Sequence, residues 1–181
     1  MNHASDAIYS ALIASLYAES LVLADEARAW FEHAHQDRYD DDQRGSFDTL
    51  ASANISEDDP AESLRRWAGR YDPSLRIALS CESLRLTTRL MHVIAWLLLH
   101  RAIAAGELAA GAAKEPSNRL GPSPATDTAL LAQLPCQARR MIEASERLHQ
   151  RVAQLDVAMC DPALAARQPV NDLIQRLQSA I

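Results

Sequence analysis

Apolar positions recur at alternating steps of four and three along three stretches of this chain, and neither glycine nor proline interrupts them. In the first, Tyr9, Ile13, Leu16, Ser20, Leu23, Ala27, Trp30 and Ala34 share one helical face, which predicts a helix over about 5–35. In the second, Asp72 can cap and Pro73 can take the first helical position, where its missing N–H costs nothing. That helix is expected over about 73–110, stopping near Gly106 or Gly111. Its seam is Ile77, Cys81, Leu84, Thr88, Met91, Ala95, Leu98, Ala102 and Ala105. The third opens at Pro135, carries Ala138, Met141, Ser145, Leu148, Val152, Leu155 and Met159, and closes before Asp161, for a helix over about 135–160.

Three matching seams imply an all-α domain over 1–160, an antiparallel three-helix bundle with long helices. The tail, 161–181, repeats the pattern on a smaller scale. After Pro169, the residues Val170, Leu173, Ile174, Leu177 and Ile181 lie at helical spacing, so a short amphipathic helix is expected. It either folds back onto the bundle or is presented to a partner's groove, and Leu173, Ile174 and Leu177 are its candidate contact residues.

The connections differ in character. Between the first two helices the chain is acidic, from Asp40 to Asp59, and then carries Leu64, Arg65, Arg66 and Trp67, where a short helix is expected. Between the second and third, Pro116, Gly121, Pro122 and Pro124 predict a flexible loop. The segment Leu90–Leu99 is apolar in nearly every direction around its helix. A three-helix bundle leaves one side of it uncovered, which predicts a homodimer through the second helix, with Leu90, Ile94 and Leu97 at the interface.

Composition sharpens this picture. The 181 residues include 33 alanines and 5 glycines, with 48% hydrophobic and 23% charged residues, which favours a folded helical domain. The net charge of −6 and pI near 5.5 speak against nucleic acid as a partner. The N-terminus lacks a basic leader, and Val93–Leu99 is bracketed by His92, His100 and Arg101, far short of the roughly 20 residues of a membrane span. No membrane insertion and a cytoplasmic location follow as expectations. Cys81, Cys136 and Cys160 have no paired spacing, so they read as structural thiols.

The sequence contains no GxGxxG, P-loop, HExxH, GxSxG or EF-hand motif. No catalytic residue, cofactor or metal is therefore expected. His33 and His35 are two apart and face different directions on a helix. Glu82, Arg85, Arg89 and His92 form a polar stripe. Arg85 and Arg89 are candidate partner-binding residues, or else the stripe is satisfied internally and by Glu19 and Glu26. A different reading places a small-molecule sensor cavity between Trp30 and Trp96.

The run Glu82, Ser83, Leu84, Arg85, Leu86, Thr87, Thr88, Arg89, Leu90, Met91, followed by Ala95, Trp96, Leu97, Leu98, Arg101, Ala102, Gly106 and Glu107, resembles the second helix of the RcdA-like family, named for regulation of CtrA degradation. Ala18, Glu19, Ser20, Leu21, Glu26, Ala27, Arg28, Ala29, Trp30 and Phe31 are similar to that family's first helix. The acidic stretch Asp40–Asp59 and the loop Lys114–Thr128 are not part of the likeness. The resemblance implies an alphaproteobacterial, non-enzymatic adaptor of the ClpXP protease. It further implies a dimeric three-helix bundle with a disordered tail. Such an adaptor helps deliver CtrA-like response regulators as cargo to ClpX, together with CpdR-like and PopA-like regulators of the cell cycle.

Overall fold

The structure, a computed structural model, describes residues 3–43 and 73–160, with side chains described for 7–32 and 73–159. Among the described residues there is no strand. Three long helices carry the fold: α1 (His3–Gln43), α2 (Pro73–Ala104) and α3 (Cys136–Cys160), each packed against the other two. The all-α expectation holds. α1 runs on to Gln43, through the acidic residues Asp40–Asp42, and α2 stops six residues short of 110.

Gly106 explains that stop. It takes φ 76°, a conformation costly for any residue with a Cβ. There its N–H donates to Ile103 O at 3.0 Å and the Glu107 N–H to Ala102 O at 2.9 Å. This is the Schellman pattern, which satisfies the last carbonyls of a helix and turns the chain away. Asp72, the proposed cap of α2, lies outside the described residues, as do the short helix at Leu64–Trp67 and the whole tail, Leu173, Ile174 and Leu177 included.

The seams of α1 and α3 are buried. Ile13, Leu16, Ser20, Leu23, Ala27 and Trp30 meet Ala138, Met141, Ser145, Leu148 and Val152 in one core, with Tyr9 and Leu155 packed at its edge.

Directions differ from the antiparallel expectation, under which successive helices oppose one another and α1 runs with α3. Tyr9 near the start of α1 touches His100 and Met159 near the ends of α2 and α3, and Glu19 pairs with Arg151, so α1 opposes α3. But Arg89 meets Ser145 and Trp96 meets Asp156, so α2 and α3 run the same way. Parallel neighbours need a connection that returns to the starting end. Residues 105–135 make that return through two short 3-10 turns, Ala110–Lys114 and Pro116–Asn118, and one helical turn, Thr128–Leu131. The last is capped by Asp127, whose carboxylate accepts from the Ala129 N–H at 2.8 Å.

The returning segment, expected to be a flexible loop, is instead pinned along its length. Leu120, Leu130, Leu131 and Leu134 pack into or against the core. Leu90 and Leu97, expected at a dimer interface, lie instead in the core shared with α1 and α3, at 3% and 0% exposure, with Ile94 half-buried.

Candidate functional site

α2 carries two parallel four-three seams, and they are opposite in chemistry. The inward one, Leu79, Glu82, Leu86, Arg89, Val93, Trp96 and His100, is buried although it contains an acid, a base and an imidazole. Glu82, Arg89 and Trp96, seven residues apart, each send a hydrogen bond or ion pair toward the crossover or α3, which makes three rungs.

At the first rung, Glu82 accepts from Thr126 Oγ1 at 2.7 Å and from Arg85 Nη1 at 2.6 Å. The Thr126 N–H in turn donates to Glu146 Oε1 at 2.8 Å. At the second, the Arg89 guanidinium spreads over three acceptors, Ser123 Oγ at 2.8 Å, Ser145 Oγ at 2.6 Å and Pro124 O at 3.0 Å, with Glu146 Oε1 at 3.6 Å. Burial lowers the Arg89 pKa, and the charges of Glu146 and Glu82 oppose that shift. Beside it, His149 Nε2 donates to the Gly121 carbonyl at 3.0 Å, which places the ring proton on Nε2.

At the third rung, Asp156 takes the Trp96 Nε1–H at 2.9 Å and the Arg119 Nε–H at 2.8 Å, and Arg119 Nη2 completes the ion pair at 2.8 Å. His100 lies against the Trp96 ring, centroids 3.8 Å apart, with its Nδ1 3.1 Å from the Tyr9 hydroxyl. Burial raises the Tyr9 pKa to about 12, helped by the Asp156 charge. Burial also depresses both His100 and His149 from their ordinary 6.5, with Asp156 opposing the shift at His100. At His149 the Gly121 carbonyl opposes it, and the charges of Arg89 and His92 add to it.

The outward seam is apolar and in solvent. Ile77 is 65% exposed, Leu84 69%, Met91 63% and Leu98 45%, and Cys81, Thr88 and Ala95 between them are exposed as well. This is the face expected to point into the bundle. Core geometry reverses that expectation, because the two faces are rotated apart on one helix and only the polar one meets Ser123, Thr126, Ser145 and Asp156.

The candidate residues separate accordingly. Arg85 is half-exposed and tied to Glu82. Arg89, expected at a partner-binding surface, is 2% exposed and spends its N–H groups inside the chain. The stripe is thus satisfied largely internally, whereas Glu19 pairs with Arg151 at 2.7 Å rather than with the stripe. Cys81 and Cys136 are free and exposed, not core thiols. Among the described residues no group of three or more His, Cys, Asp or Glu could hold a metal ion.

Trp30 and Trp96 are both buried but belong to opposite ends of the bundle. Trp30 lies 21 residues along α1 from Tyr9, which touches His100 beside Trp96. That spacing puts the two indoles roughly 30 Å apart along the helices. They do not enclose a common cavity. By length and composition, one helix among the described residues, Ala7–Glu32, could cross a membrane; Ile13, Leu16, Leu23 and Trp30 on it are buried in the core, while Ile8 and Val22 are exposed.

A family model described as protein of unknown function (DUF1465) matches residues 61–181, a span that takes in α2, the crossover and α3 but not α1. No curated protein and no solved structure matches the chain.

Proposed function

The chain belongs to the DUF1465 family, and from that premise we propose that it is a non-enzymatic adaptor that brings CtrA-like response regulators to the ClpXP protease in bacterial cell-cycle control. The RcdA-like proteins that its first two helices resemble fall in the same family, which supports the reading. One structural observation carries it. On α2 the buried polar groups Glu82, Arg89 and Trp96 are spent on holding the crossover and α3, while Ile77, Leu84, Met91 and Leu98 of the outward seam stand in solvent. A surface of that kind recruits proteins and has little to offer a reacting small molecule.

In this reading the chain is cytoplasmic and dimeric, with no cofactor, and CpdR-like and PopA-like regulators share its surface. It works by raising local concentration, so several weak contacts add up without a deep pocket. Leu173, Ile174 and Leu177 of the tail dock the partner, and Arg85 is a secondary contact.

The test is reconstituted degradation of a CtrA-like regulator by ClpXP. The full-length chain is expected to accelerate it by about tenfold or more, as linked weak sites allow. Leu173→Asp with Leu177→Asp should abolish that gain while leaving the helical circular-dichroism signal intact. Degradation equally fast with and without the chain, in the presence of the CpdR-like and PopA-like proteins, overturns the reading.

A further inference from the structure

The outward seam of α2 alternates in size as well as in chemistry. With Cys81, Thr88, Ala95 and Ala102 at one heptad position and Ile77, Leu84, Met91 and Leu98 at the other, every second layer is small and every other one large. We propose that this seam pairs with the same seam of a second copy, and that the two α2 helices run antiparallel.

The size pattern selects the direction. In a parallel pair each layer faces itself, so Leu84 would meet Leu84 and Ala95 would meet Ala95, and bulky layers would alternate with empty ones. No single interhelical distance fills both. In an antiparallel pair with its twofold axis between residues 89 and 90, Thr88 faces the partner's Met91. Leu84 then faces the partner's Ala95, Cys81 the partner's Leu98, and Ile77 the partner's Ala102. Every layer holds one large and one small side chain, and the interface is self-complementary, as a twofold dimer requires. The helices can then approach to the close end of the usual 8–10 Å.

Charge agrees with a second copy as occupant. No charged residue lies in the seam, and the only acid on α2, Glu82, is turned inward to Thr126 and Arg85. The residues flanking the seam in the antiparallel register bring Ser80 opposite the partner's Arg101, and Arg85, already neutralised by Glu82, opposite the partner's His92. Four large side chains per copy with about half or more of their surface in solvent, together with the small ones between them, make a patch on the order of 1,000 Å² over two copies, where specific interfaces begin.

The proposal rests on the dimer of the reading above, and disulfide trapping separates the two. Full-length chain with Cys81→Ala, Cys136→Ala and Cys160→Ala is the background, and Leu84→Cys and Ala95→Cys are made in it separately. Both sites are exposed, so folding is retained and is checked by circular dichroism. On oxidation, each variant alone is expected to stay uncrosslinked, and an equimolar mixture is expected to form the mixed disulfide dimer. Self-crosslinking of Leu84→Cys alone signals a parallel pair and overturns the register, while the dimer stands. A dimer by light scattering that crosslinks in no arm puts the interface elsewhere and overturns the surface. A monomer at all concentrations, as expected if the tail or another protein covers the seam, overturns both the proposal and the dimer, and leaves the degradation assay to judge the adaptor on its own. As a second readout, Leu84→Glu with Met91→Glu should weaken the dimer by about 100-fold or more, since each would bury an unpaired carboxylate against Ala95 or Thr88 of the other copy.

Discussion

The two long faces of α2 invert the usual division between inside and outside. Glu82, Arg89 and His100 are buried, and Ile77, Leu84, Met91 and Leu98 are in water. The predicted seams of α1 and α3 follow the ordinary division, with Ile13, Leu16, Leu148 and Val152 inside, although α3 also buries His149 and Asp156 and α1 leaves Ile8 and Val22 in water. The difference lies in what each helix must hold. α1 packs on α2 and α3, and an apolar face serves that purpose. α2 must also fix a returning segment of irregular backbone, whose carbonyls and hydroxyls need partners once covered. Pro124 O, Ser123 and Thr126 find theirs on the α2 ladder. Charged residues inside α2 are therefore a consequence of the crossover, and the apolar face is what remains for other molecules.

Removing a rung tests this contrast hardest. Arg89→Ala leaves Glu146 without its buried cation and two crossover acceptors without a donor. The loss should be about 3–5 kcal/mol, typical of breaking a buried ionic network from one side. That lowers the melting temperature by on the order of 10 °C for a domain of this size. Arg89→Lys should not restore it, because one ammonium cannot span the same three acceptors. A melting temperature within 2 °C of the wild type would mean the ladder is ornamental.

Acid probes the same face more gently. His100 and His149 are held neutral, with folded-state pKa values below the 6.5 of the unfolded chain. The unfolded state therefore binds more protons once the pH drops below that value. The stability that these residues contribute is complete above about pH 6.5 and is lost as pH falls toward their folded pKa values. Thermal melts between pH 7.5 and 5 should show this decline, and His149→Gln, which keeps a donor for Gly121 O, should flatten it. An equal slope in the variant would remove His149 from the account.

The smallest effect is expected on the other face. Leu84→Ser in dilute solution should change unfolding free energy by no more than about 0.5 kcal/mol, since an exposed side chain loses little on truncation. Chemical denaturation measures it. A loss of 2 kcal/mol or more would place Leu84 against something within its own chain.

α1 and α3 were legible because each carries a single apolar seam, so periodicity and burial coincide. α2 carries two, and local pattern favours burying the more apolar. What decides otherwise lies 34 to 60 residues away, in Ser123, Ser145 and Asp156, whose bonds to Arg89 and Trp96 are long-range facts. For the same reason Pro116–Pro124 read as a loose loop. Prolines and a glycine show where a helix cannot form, but the Arg119 pair with Asp156 and the Gly121 carbonyl's bond to His149 hold the segment in place. The sequence offered Gly106 and Gly111 as helix stops without choosing between them, and the positive φ at Gly106 shows which one the chain uses. Arg89 was found among the candidates by its charge, but its place was not: a charge on a helix says that it needs a partner, without saying on which side the partner waits.

The contact between Tyr9 and Met159 has a consequence for how the molecule is arranged in space. The chain enters α1 and leaves α3 at one pole of the bundle, while residues 44–72 attach to Gln43 and Pro73 toward the other. The segments 44–72 and 161–181 are thereby anchored at opposite ends of the three long helices, so a contact made next to one anchor leaves the other end of the bundle untouched.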